Sequence, residues 1–155
     1  MADTQNAIAL LEDDHERLRD LFEQLALTTE RTARARTDLV RDLAVELRAH
    51  AELEETLFYP AYREAVEDTD DRRTYFEAIE HHHVVHLLLP ELERTRVTSE
   101  EFGAKAKVLS AIVELHIQAA EGTMFPSARA VMAKETLVEL GVLLARRRLV
   151  APTAR

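Results

Sequence analysis

Only three glycines and four prolines punctuate 155 residues. A sandwich or barrel of strands needs a turn every dozen residues or less, so that class is excluded. Long helices remain, and the apolar residues are spaced for them. Ile8, Leu11, Leu18, Phe22 and Leu25 mark one face of a helix over about Thr4 to Thr28, with Asp3 or Thr4 as its expected cap. Leu39, Leu43, Leu47, Leu57 and Ala61 do the same over about Thr32 to Val66, where Pro60 should kink the helix or end its regular part. Glu67-Asp68-Thr69-Asp70-Asp71 reads as a polar turn, with Asp70 or Asp71 capping a third helix over about Arg72 to Arg94. Thr98-Ser99-Glu100-Glu101 starts a fourth, which reaches about Ala120 before Gly122 and Pro126 disturb it. Thr136 to Arg148 reads as a shorter amphipathic helix.

Short connections make consecutive helices antiparallel neighbours. The expected fold is all-α, an up-down-up-down four-helix bundle with a short C-terminal helix. It forms one domain over 1–155, with its core at about 4–130 and the last helix within about 134–150. Asp and Glu outnumber Lys and Arg by 29 to 20, a formal charge of −9 that phosphate backbones repel. No nucleic-acid partner is expected. The absence of cysteine rules out a disulfide scaffold, thiolate-bound metal and thiol catalysis. The charge-free run from His81 to Pro90 is too short to span a bilayer, and the first residues lack the pattern of a secretion signal. A cytoplasmic protein with no membrane partner is therefore expected.

Seven histidines are many for this length, and they interrupt the apolar stripes. His15 falls in the series Ile8, Leu11, Leu18, Phe22; His50 and Glu54 fall between Leu47 and Leu57; His116 follows Leu109 and Ile112. His82 and His86 lie within about 40° of each other on the third helix, on the side of Tyr75, Ile79 and Leu89. His81 points elsewhere and His83 sits at the flank. A lone histidine on an apolar face is usually a packed, hydrogen-bonded core residue. Four helices each offering one is different, because every unpartnered buried polar group costs about 1–3 kcal/mol and a shared ligand removes that cost for all. Heights agree as well. His15 lies 16 residues before the first turn and His50 19 after it, while His82 lies 15 before the third turn and His116 19 after. At about 1.5 Å per residue all fall in a slab one to two turns thick. Imidazoles with few carboxylates suit iron, zinc, copper or nickel. Five histidines with Glu54, and Glu121 beyond His116, are too many for one tetrahedral ion and suit two adjacent ions.

The set His15, His50-x-x-x-Glu54, His82-x-x-x-His86 and His116-x-x-x-x-Glu121 resembles the hemerythrin family, the hemerythrin HHE cation-binding domains, over roughly residues 8–130. Two strings support it: His-Ala-Glu-Leu-Glu-Glu-Thr-Leu-Phe-Tyr-Pro at 50–60 and His-Ile-Gln-Ala-Ala-Glu-Gly-Thr-Met-Phe-Pro at 116–126, each ending in an aromatic-proline exit. The resemblance implies a non-heme pair of iron ions (Fe2+/Fe3+), oxo- or hydroxo-bridged. His82, His86 and His116 would cap one iron, His15 and His50 would bind the other, and Glu54 and Glu121 would bridge them. The family's oxygen carriers place Asp where Glu121 stands. Glu121 lies about 140° round an ideal helix from His116, so it converges only if a π-bulge or early break near Gly122 turns it inward. The run His81-His82-His83 leaves a one-residue register open.

Other features carry plainer readings. Tyr59, Tyr62 and Tyr75 near the ligand-bearing turns are packing residues or iron neighbours. Glu12-Asp13-Asp14, Glu52 and Glu55 are solvated faces or acceptors for ligand imidazoles. Glu12-x-x-His15 and Glu80-x-x-His83 match the pair of ferritin-like di-iron bundles but fall on helices one and three. Arg146-Arg147-Arg148 complements a helix C-terminus. Leu140, Val142, Leu143 and Leu144 cover the bundle end or pair with a second chain, so the protein is a monomer or homodimer. The implied function is binding of O2 or a related small molecule, with Ile79, Leu47, Leu109 and Ile112 as a dry wall. Decomposition of hydrogen peroxide or reaction with nitric oxide, iron sensing or storage, and a zinc or metal-free bundle are the alternatives.

Overall fold

The computed structural model describes residues 5–151. α1 (Ala7–Ala26) starts at Asn6, whose side chain accepts from the Ala9 amide at 3.0 Å and so satisfies one free helix-end donor. Asp3 and Thr4, the expected caps, lie outside the described residues. After a 3-10 turn (Glu30–Thr32), α2 (Ala33–Leu53) runs into a π-helical turn (Glu54–Phe58) and on into α3 (Tyr59–Ala65). α4 spans Thr69–Arg94. α5 (Glu100–Ala119) passes through a second π turn (Ala120–Met124) into α6 (Phe125–Val131), and α7 (Lys134–Val150) follows.

Asp68 caps α4, not Asp70 or Asp71. Its carboxylate accepts from both of their amides, at 2.8 and 3.3 Å. Asp70 and Asp71 fill the first turn instead, where negative charge meets the positive end of the helix dipole. The π turns explain how the rods pass Pro60 and Pro126. In each, the aromatic residue before proline donates its amide five residues back, Tyr59 to Glu54 and Phe125 to Ala120. Proline has no amide and its ring crowds the carbonyl four residues earlier. A turn wider by one residue accommodates both defects, and the helix continues rather than ending.

α1 packs against α2 and α5, and α4 packs against the same two, which gives the expected ring of four antiparallel rods. The interior holds two apolar clusters. One contains Ile8, Leu11, Leu53, Phe58, Tyr62 and Phe125; the other contains Leu18, Phe22, Leu43, Leu47, Leu89 and Leu109. Between them lies a polar layer. His15 falls between Leu11 and Leu18, His50 between Leu47 and Leu53, His82 between Ala78 and Val85. α7 lies against α1, α2 and the first π turn. Gly141 permits this approach, since a Cβ there would stand 2.4 Å from the Gln5 carbonyl oxygen. Among the described residues no helix is long and apolar enough to cross a membrane.

Candidate metal centre

Every long rod sends a ring into the polar layer. His15, His50, Glu54 and His116, all buried, offer donor atoms that lie within 4.8 Å of one another. Glu54 is the hub. Its Oε2 stands 2.9 Å from His82 Nε2 and 3.2 Å from His116 Nε2, and its Oε1 is 3.4 Å from His50 Nε2. Tyr59 adds a neutral donor, its hydroxyl reaching Glu54 Oε2 at 2.7 Å. The π turn makes this contact, because two residues five apart would diverge on a regular helix.

The outer ring nitrogens are held by carboxylates. His15 Nδ1 donates to Glu121 at 2.9 Å, His50 Nδ1 to Asp14 at 3.3 Å and His82 Nδ1 to Glu55 at 2.7 Å. An imidazole fixed in this way turns its Nε2 to the layer and becomes a better electron-pair donor. The inward atoms test whether a cation fits. Nε2 of His15, His50 and His116 and Oε1 of Glu54 are buried without any hydrogen-bond partner. Left so, each costs about 1–3 kcal/mol. Each can present a lone pair, His50 once it gives up its second ring proton, none is a thiolate, and a cation shared among them satisfies the set at once.

Burial opposes charge throughout this layer, and the carboxylate decides where it remains. The His50 and His116 imidazoles hold Glu54 well below the usual carboxylate range despite burial. Burial weighs against a charged His50 too, but Glu54 and Asp14 overcome it and push the ring up to about 10. Burial, reinforced by the neighbouring His50, takes His15 down to about 2. Burial also lowers His116. The ion-free site therefore pairs one carboxylate with charged His50 and leaves His15 and His116 neutral, with lone pairs ready.

Of the seven residues singled out in the sequence, the structure brings His15, His50, Glu54, His82 and His116 into contact. His86 and Glu121 are not among them. The His86 side chain is 47% exposed, its ring centroid 6.5 Å from that of His82. The expected distortion at Gly122 is present as the second π turn, but it does not carry Glu121 inward. Arg19, at 3.4 Å, and His15 hold that carboxylate on the outer side. His82 is the member of its triplet that enters the layer, while exposed His83 stands 3.5 Å from Glu80 and Glu12 pairs with Arg129. His81 does not point away as expected. Its ring stands 5.9 Å from that of His116, and its Nδ1 is buried without a partner. Beside the group lies a gap lined by the apolar side chains of Leu18, Leu47, Val85 and Val113 and by the rings of His50, His82, His86 and His116. Of the expected wall, only Leu47 borders it.

The sequence treats Tyr59, Tyr62 and Tyr75 alike, and only Tyr59 touches the group; Tyr62 donates to Ser127 at 3.0 Å. The aromatic-proline exit at 58–60 mirrors the one at 124–126, and that repeat was the signal for a first π turn.

The profile of the hemerythrin HHE cation binding domain matches residues 6–128. The crystal structure of a hemerythrin HHE cation binding domain-containing protein from Mycobacterium kansasii shares the fold, with a TM-score of 0.80 at 24% identity over 94% of this chain and 86% of that one. No curated protein matches the chain.

Proposed function

This chain belongs to the hemerythrin HHE cation-binding domain family, and we propose that its buried layer holds two iron ions that bind O2 or a related small molecule. The observation behind the reading is the set of partnerless lone-pair atoms on His15, His50, Glu54 and His116. His82 joins them through Glu54. His86, beside His82, and Glu121, beside His15, are the rim donors of the set. When bound, a pair of redox-active ions supplies reversible electron exchange with a small ligand. The chain's own residues do the rest. Asp14 and Glu55 orient the rings of His50 and His82. Leu18, Leu47, Val85 and Val113 give the adjoining gap an apolar wall.

A second reading, decomposition of hydrogen peroxide or reaction with nitric oxide, is favoured by Tyr59. A buried hydroxyl on Glu54, 3.4 Å from His82 Nε2, places an exchangeable proton beside the donor set. A carrier is better served by a site without one.

Iron content and the optical spectrum of the purified full chain, loaded with ferrous iron, test the main reading. Two irons per chain, with a charge-transfer band that appears in air and bleaches on removing O2, support it. A chain that takes up zinc alone, or no metal, overturns it. Gas evolution from added hydrogen peroxide, lost in His82→Ala, selects the second reading.

A further inference from the structure

α7 lies beyond the residues that the family profile matches, yet it reaches the site. Arg148 extends from its last turn into the bundle and contacts two buried carboxylates from different rods. Its Nη1 donates to Asp14 Oδ2 at 3.1 Å, and its Nη2 donates to Glu46. Asp14 Oδ2 is the same oxygen that accepts from His50 Nδ1 at 3.3 Å. One carboxylate oxygen thus joins a C-terminal arginine to an inward histidine. Arg17, half-exposed and one turn on from Asp14, holds the other oxygen and also stands 3.7 Å from Glu46, but only Arg148 contacts the oxygen that accepts from His50. Glu46, on α2 one turn before His50, gives the guanidinium a second anchor, and a planar fork can hold both carboxylates at once. Gly141 lets α7 approach closely enough for the arginine to span the distance. The neighbouring Arg147 meets only Glu52, on the surface.

We propose that Arg148 is a positioning residue for the metal site: it fixes Asp14, and through it the ring of His50, so that α7 is part of the metal-binding apparatus rather than a cover for the bundle end. Loss of partners that orient a ligand typically weakens metal binding 10- to 100-fold.

The proposal rests on the reading that the layer binds metal, so its test has one arm that needs none. In the metal-free full chain, nitrogen-15 NMR of the His50 ring reports whether Nδ1 carries a hydrogen-bonded proton. Arg148→Gln should lose or shift that signature; Arg147→Gln should keep it. In the second arm, both variants and wild type are titrated with Co2+ as a visible probe. Arg148→Gln should weaken binding at least about 10-fold. Arg147→Gln, which removes the same charge from the same helix, should bind as wild type does. Asp14→Asn should weaken binding similarly, and adding Arg148→Gln to it should cost no more. Arg148→Lys, which cannot fork between two carboxylates, should fall between and serves where the glutamine variant does not fold. An unchanged His50 signature in Arg148→Gln overturns the proposal, as does equal weakening by the two arginine variants. If wild type binds no Co2+ or iron while the His50 signature still depends on Arg148, the metal reading fails and the positioning role stands.

Discussion

Tyr59 stands five residues after Glu54, and its hydroxyl donates to the Glu54 carboxylate at 2.7 Å. On a regular helix the two would point about 140° apart. The π turn between them creates the contact and places a hydroxyl in the layer of imidazoles.

Replacing Tyr59 by Phe keeps the ring and removes the donor. The buried Glu54 oxygen then keeps only its close approach to His82, at 2.9 Å, and the metal-free chain should lose about 1–3 kcal/mol by urea denaturation. An unchanged midpoint would mean that the imidazoles already satisfy that oxygen.

Glu54→Gln removes the negative charge at the hub with little change in shape. Metal content after iron loading should fall from two per chain to below one. The His50 ring, deprived of the carboxylate that raises it, should titrate lower in the metal-free chain by NMR.

Proton uptake gives a third expectation. His50 is raised to about 10, so it carries a proton at neutral pH in the ion-free chain and must release it to donate to a metal. Affinity should therefore rise with pH between 6 and 8, about tenfold per unit for each proton displaced. Titrations in buffers of different ionisation enthalpy count that proton directly, and a flat profile contradicts its presence.

His86 and Glu121 are the two sequence-derived ligands at the rim. His86→Ala and Glu121→Gln should each lower iron stoichiometry from two toward one without unfolding the bundle. Two irons retained in both variants would confine the donor set to the five inward residues.

Gly141 and Gly103 make a matched pair. A Cβ at Gly141 meets backbone at 2.4 Å, whereas one at Gly103 meets nothing within 4 Å. Gly141→Ala should cost about 1–3 kcal/mol through overpacking. Gly103→Ala, within α5, should add about 0.5–1 kcal/mol. Thermal unfolding of the two variants side by side reads both signs.

The stripes of Leu, Ile and Phe were legible in the sequence because a helix repeats every 3.6 residues, and they located all four rods. His15, His50, Glu54, His82 and His116 were legible as polar exceptions to those stripes. Glu121 was not, because its direction is set by Arg19, on another helix, with which it shares no local periodicity. Asp68, Asp70 and Asp71 stand so close that spacing alone does not choose the cap among the three. The link from Arg148 to Asp14 spans more than a hundred residues, and no short-range pattern announces it.

Two separate oily compartments flank the sheet of rings, and each is closed by its own large side chains. Without an ion, the boundary between them holds inward atoms on His15, His50, Glu54 and His116 that lack partners. A bound cation rivets the compartments together. If the layer takes up iron as proposed, amide exchange near His50 and His116 should slow far more on loading than exchange near Leu25 or Phe58, and the chain would be fastened at its waist by the ion.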